Sequence, residues 1–120
     1  RIVIKTNPKY LSLNEMYQVA NSYPKGSDDF VNVFDIAVRM YPNDAAANLN
    51  AANAALIRRD TIAARRYLDR VPACAEKLLA EGALALYEGD RDTAVERFEE
   101  AKAAGMAEAE ANLEFIRYIP

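Results

Sequence analysis

Histidine and tryptophan are absent from this 120-residue sequence, cysteine occurs once, and glycine and proline number only four and five. Without histidine, serine- and cysteine-based catalytic triads lose their usual base, and most zinc or haem sites lose their usual ligand. A single cysteine, Cys74, rules out an internal disulfide framework and leaves the redox compartment open. With no histidine to deprotonate it, Cys74 reads as a small apolar residue at a helix start. No apolar run reaches the roughly 18 residues of a membrane span, and no signal peptide is visible. The net charge of −3 supplies no basic field for nucleic acid. Walker, dinucleotide and calcium-loop motifs are also missing, so no residue is a candidate for catalysis or for holding a cofactor or metal.

What the sequence does have is alanine, at 23 positions, within a chain that is 52% hydrophobic and 28% charged. Alanine combines the best helix propensity with the smallest side chain, which predicts closely packed helices. The chain begins at Arg1 within an apolar stretch (Ile2, Val3, Ile4), and residues 1–10 are expected to be the tail of an upstream region or linker of a longer protein. Arg1 to Thr6 is the one stretch with a possible strand pattern, and it is too short to decide.

From Leu11 onward the pattern alternates helix and short break. Ser12-Leu13-Asn14-Glu15 has capping-box spacing, with Leu11 and Met16 placed as a hydrophobic staple. This predicts a first helix from Leu13 to Ser22, stopped by Tyr23-Pro24-Lys25-Gly26. Ser27-Asp28-Asp29 opens a second, with Phe30, Val33, Phe34, Ala37 and Val38 on one face, ending at Pro42. Asp44 opens a third that ends near Arg58 or Arg59. Asp60-Thr61 opens a fourth, reaching Val71 before Pro72. A fifth runs from Ala75 to Glu88, closed by Gly89, and a sixth from Asp90 to Ala104, closed by Gly105. A seventh covers Ala107 to Tyr118, with Leu113 and Ile116 on its apolar face and Glu108, Glu110 and Glu114 on its wet side. The expected class is all-α.

The segments Arg59 to Leu68 and Gly89 to Phe98 align at an offset of 30, and Phe34, Ala37 and Pro42 align with the second pair at an offset of 34. The tetratricopeptide repeat is about 34 residues long, and Pro72 cutting the fourth helix short accounts for the smaller offset. Gly82, Gly89-Asp90, Ala94, Phe98 and Ala101 form the best-matching unit. Asn50, Ala52, Asn53 and Ala54, then Asp60, Ala64 and Leu68, form a second. On these residues the chain resembles the tetratricopeptide (TPR) family. In the first unit Gln18 and Phe30 stand where small residues belong, so either its helices stand further apart or its register differs. The family's tryptophan position holds Leu78 in unit three and Asn48 in unit two.

The resemblance implies a right-handed α-α superhelix over residues 11–120: units of about 11–44, 45–74 and 75–106, then a capping helix over 107–118. Ala52, Ala64, Ala94 and Ala101 would sit where paired helices touch, while Phe34, Leu68 and Phe98 fill the space between pairs. It also implies a protein-binding groove lined by Glu15, Val19 and Tyr23, by Leu49, Asn50, Asn53 and Leu56, and by Leu79, Ala83 and Tyr87. Asn53 matches the family's asparagine that binds peptide backbone, since an amide can both donate and accept. The alternative at Glu15 is a simple helix cap, and at Leu49, Leu56 and Leu79 plain core, because the two stripes differ by one helical position. The carboxylate-clamping Lys and Arg positions of chaperone-binding TPRs are not matched.

A second resemblance rests on Leu13 to Tyr17, Val33 to Asp44 and Ala51 to Leu56. These runs look like the helical C-terminal region of large gram-negative envelope proteins with an OmpA-like or fimbria-associated upstream portion, which implies a periplasmic or envelope setting.

Charge is unevenly placed. Arg58, Arg59, Arg65, Arg66 and Arg70 face only Asp60 and Asp69, whereas Glu76 to Glu114 holds eleven acids and four bases. This is either a solvated surface whose halves attract or a basic strip for an acidic partner. Three functions remain open: a non-enzymatic scaffold holding a protein segment or neighbouring domain, a structural spacer whose groove is filled internally, or a subunit of an enzyme whose chemistry lies upstream. None requires a cofactor, nucleic acid or membrane insertion by this segment.

Overall fold

A computed structural model of the chain describes residues 12–118. The tail expected over residues 1–10, the strand-like Arg1 to Thr6 stretch and the Leu11 half of the staple lie outside them. The described residues form seven helices and no strand: α1 (Leu13–Ala20), α2 (Asp28–Met40), α3 (Ala45–Ile57), α4 (Thr61–Leu68), α5 (Ala75–Tyr87), α6 (Arg91–Ala103) and α7 (Glu108–Ile116). They divide into two compact units, α1–α4 up to Arg70 and α5–α7 from Val71.

The helix starts follow from local chemistry. Each of the first six helices has a side-chain cap that accepts a hydrogen bond from a free backbone N–H of the first turn. Ser12 and Glu15 make the full reciprocal capping box. Ser27, Asp44, Asp60 and Asp90 cap α2, α3, α4 and α6. Cys74 caps α5 through its sulfur, which accepts from the Lys77 N–H at 3.4 Å.

The ends are shorter than the periodicity suggests. α1 stops at Ala20, where the Ser22 and Tyr23 N–H groups turn back to carbonyls three residues earlier and close the helix. α4 stops at Leu68. Pro72 disfavours helical backbone at Val71, and the Arg70 N–H already bonds the Tyr67 carbonyl in a tightened turn. α7 stops at Ile116, again in a tightened turn.

The ends of α3, α5 and α6 repeat one motif. After each, a residue with positive φ is followed by one whose N–H reaches five residues back: Asp60 to Ala55, Asp90 to Ala85, Met106 to Ala101, at 2.9, 2.9 and 3.0 Å. The positive-φ residues are Arg59, Gly89 and Gly105. This is a Schellman closure, which satisfies orphan carbonyls and redirects the chain into the following helix. α3–α4 and α5–α6 are therefore joined by the same turn, at the sequence offset of 30.

In the first unit α1 packs on α2, α2 on α3, and α3 on α4. Its core combines Met16 and Ala20 of α1 with Phe30, Val33, Phe34, Ala37 and Val38 of α2 and the small residues Ala47, Ala51 and Ala54 of α3. Phe34 stacks on Tyr17 and meets Phe30 edge-on, with centroids 5.7 and 4.9 Å apart. Gln18 is exposed, so α1 turns Met16 and Ala20 inward and the first pair closes around aromatics. In the second unit α5 packs on α6 and α6 on α7. Ala85, Ala94, Phe98, Ala101, Ala109 and Ile116 form its core. Ala52, Ala64, Ala94 and Ala101 are all 0% exposed, as close helix crossings require. Glu108, Glu110 and Glu114 of α7 face solvent, and so do Phe115 and Tyr118. Among the described residues, no helix is long and apolar enough to cross a membrane.

Candidate functional site

The groove residues inferred from the sequence separate by exposure. On α1, Glu15 is exposed and engaged in its cap: its carboxylate accepts from the Ser12 N–H at 3.0 Å, and its own N–H donates to the Ser12 hydroxyl at 3.2 Å. The Ser12 hydrogen bonds, the backbone one foremost, hold the Glu15 carboxyl below its ordinary value. Val19 and Tyr23 are half-buried against the first unit's core. On α3, Leu49 and Asn50 are half-buried, Asn53 is exposed, and Leu56 is buried. Leu56 is therefore a core residue and not an open groove residue. In the second unit Leu79 and Ala83 are half-buried against its core, whereas Tyr87 is 43% exposed. Of the set, Glu15, Asn53 and Tyr87 are exposed, and with Glu15 engaged in its cap Asn53 and Tyr87 present an amide and a phenol.

Asn48 has a different task. It is fully buried, and its side-chain amide donates to the Pro42 and Asp44 carbonyls at 3.0 and 2.9 Å. It pins the turn that leads into α3, while its own carbonyl oxygen has no hydrogen-bond partner among the described residues.

A cavity of about 430 Å³ opens in the first unit, and none of the ten groove residues lines it. Val31 and the α3 residues Ala51 and Ala55 make its floor. Asp35, Arg58, Asp60, Arg66 and Tyr67 make its polar rim. The floor exists because α3 carries only methyl groups there. Along α3 and its C-cap Arg58, positions 51, 55 and 58 form one stripe and 49, 53 and 56 another, two residues or about 200° apart around the helix. The cavity therefore lies on the face of α3 opposite Leu49, Asn53 and Leu56, with Asn50 between the two faces.

The rim is ordered by pairwise contacts. The Tyr67 hydroxyl donates to Asp35 Oδ1 at 3.0 Å, bridging α4 and α2. Burial, reinforced by the Asp35 charge, pushes the Tyr67 phenol above its ordinary value, so it stays a hydrogen-bond donor. Arg66 places its guanidinium carbon 5.5 Å from the Tyr67 ring centroid. Arg58 meets Asp28 at 2.7 Å, and Asp60 Oδ1 accepts from the Ala63 N–H at 3.1 Å. The sequence shows Arg58 and Arg66 as part of a basic run. It does not reveal that they share a cavity, because the walls come from three helices.

A smaller concavity of about 190 Å³ lies between α6 and α7. Its cations have partners: Lys102 pairs with Glu110 at 2.6 Å, and Arg91 donates to the Ile116 carbonyl at 2.8 Å. Among the described residues no group of His, Cys, Asp or Glu is arranged to hold a metal ion.

Comparison with family models, curated proteins and solved structures finds no match to this chain.

Proposed function

We propose that this chain is a TPR-like scaffold that holds a segment of another protein, or a neighbouring domain of its own polypeptide, and catalyses no reaction. The helices then order as three pairs, α1–α2, α3–α4 and α5–α6, wound as a right-handed superhelix and capped by α7. The observation that carries this reading is the repeated helix–turn–helix geometry of α3–α4 and α5–α6. The same Schellman turn recurs at Arg59 and Gly89, and fully buried alanines, Ala64 and Ala94, recur at matching positions on the second helices. Such pairs cannot bury their apolar faces alone, and stacking them generates the extended surfaces on which repeat proteins bind partners.

In this reading the first helix of each pair meets the partner. Asn53 supplies an amide that can donate to and accept from peptide backbone, and Tyr87 supplies an amphipathic ring of the kind enriched in binding hot spots. The resemblance of α1–α3 to the C-terminal helical region of envelope proteins supports an envelope setting. The test is quantitative capture of partners by the immobilised chain, compared with the Asn53→Ala/Tyr87→Ala variant.

A further inference from the structure

We propose that the cavity rimmed by Arg58, Arg66 and Tyr67 binds an acidic side chain of a partner polypeptide, with Arg66 as the principal carboxylate-binding residue. This rests on the scaffold reading and adds to it a second contact surface, on the face of α3 opposite Asn53.

Three observations converge on it. First, the volume of about 430 Å³ falls within the usual range for ligand sites and suits one or two side chains rather than a whole helix. Second, its cations are not equally engaged. Arg58 is neutralised by Asp28, whose side chain is 90% exposed and so exchanges readily with an incoming carboxylate. Arg66 is positioned over the Tyr67 ring, and no carboxylate among the described residues forms an ion pair with it. The Arg66 guanidinium also hydrogen-bonds the Tyr67 side chain, which holds it in place while its remaining N–H groups face no carboxylate, so it loses little freedom when it binds one.

Third, the anions on the rim select a peptide over a simple anion. Asp60 is occupied as the α4 cap and Asp35 accepts from Tyr67, yet both carboxylates retain acceptor capacity. A phosphate dianion would face their repulsion with twice the charge of a carboxylate and only one hydroxyl to donate. A peptide brings both halves of the match: a carboxylate for Arg66 and Arg58, and backbone N–H groups for the remaining oxygens of Asp35 and Asp60. The apolar floor of Val31, Ala51 and Ala55 receives the methylenes of a Glu side chain.

The test is fluorescence anisotropy with a labelled Glu-Gly repeat peptide and its Gln-Gly counterpart, using the full 120-residue chain. The Glu peptide is expected to bind and the Gln peptide not, with affinity falling as salt rises. Arg66→Gln is expected to weaken binding by roughly tenfold, the loss expected for a hydrogen bond to a charged group. Arg39→Gln, which removes an exposed cation outside the cavity, leaves binding unchanged. Arg58 and Arg66 side-chain NMR signals should shift on titration. Equal loss from both variants, shifts confined to other residues, no binding of the Glu peptide, or equal competition by free glutamate or inorganic phosphate would each overturn the proposal. Such a failure leaves the scaffold reading standing, because Asn53 and Tyr87 lie outside the cavity walls and are tested separately.

Discussion

The ring of Phe98 occupies the space a side chain at Gly82 would need: a β-carbon on Gly82 would fall 2.6 Å from a ring carbon of Phe98. Glycine in mid-helix ordinarily costs about 1 kcal/mol relative to alanine. Here the sign reverses, because Phe98 is 1% exposed and has no room to retreat. Gly82→Ala is expected to destabilise the chain by about 1–3 kcal/mol, as overpacked cores do. Urea unfolding measures this, and a midpoint that rises would show that α5 and α6 leave room for a methyl group between them.

Ala94 lies on the partner helix and is fully buried in the same core. Ala94→Leu is expected to cost about 1–3 kcal/mol by the same overpacking. An unchanged melting temperature would count against this packing.

The repeated turn separates backbone strain from packing. Gly89 has φ +82°, and a β-carbon added there would meet nothing within 4 Å, so Gly89→Ala tests conformation alone. A loss of about 1–2 kcal/mol is expected, the cost of the left-handed region for an L-residue. Arg59 holds φ 58° at the equivalent place, so Arg59→Gly is expected to move stability in the opposite direction. The two denaturation midpoints should shift with opposite signs.

Acid sensitivity follows from the caps. Glu15 is held below its ordinary value by Ser12, Asp90 by Thr93, and Glu110 by Lys102. A carboxyl depressed in the folded state contributes stability that is complete above its unfolded value and lost as pH falls through its folded value. The melting temperature should therefore hold through neutral pH and decline once pH drops below the ordinary carboxylate range. Asp90→Ala should flatten part of that decline. Lys102 is raised by Glu110, so its share persists up to the ordinary lysine value and fades as pH rises through the raised one.

Helix starts were legible in the sequence because a cap is a local event: Ser12, Ser27, Asp44, Asp60 and Asp90 each act on an N–H three residues away. The α2 face was legible because its large residues contrast with its polar ones. α3 was not, since alanine and asparagine surround it and seven of its thirteen residues are buried. Periodicity could not separate Leu56, which is core, from exposed Asn53. The cavity was illegible for another reason. Asp35 and Tyr67 are 32 residues apart, and only folding brings the hydroxyl and carboxylate together. The periodicity of α7 placed Ile116 on the apolar face, where it is buried, and gave no sign that Phe115 beside it is exposed.

The scaffold claim is tested most directly by capture from a matched cell-envelope extract, quantified by mass spectrometry, on the immobilised chain and on its Asn53→Ala/Tyr87→Ala variant. Both substitutions are at exposed positions, so circular dichroism should show the same helical fold. A defined partner should be retained by the chain and reduced by roughly tenfold or more on the variant, as loss of hot-spot contacts gives. Equal retention of the same proteins by both would contradict the claim.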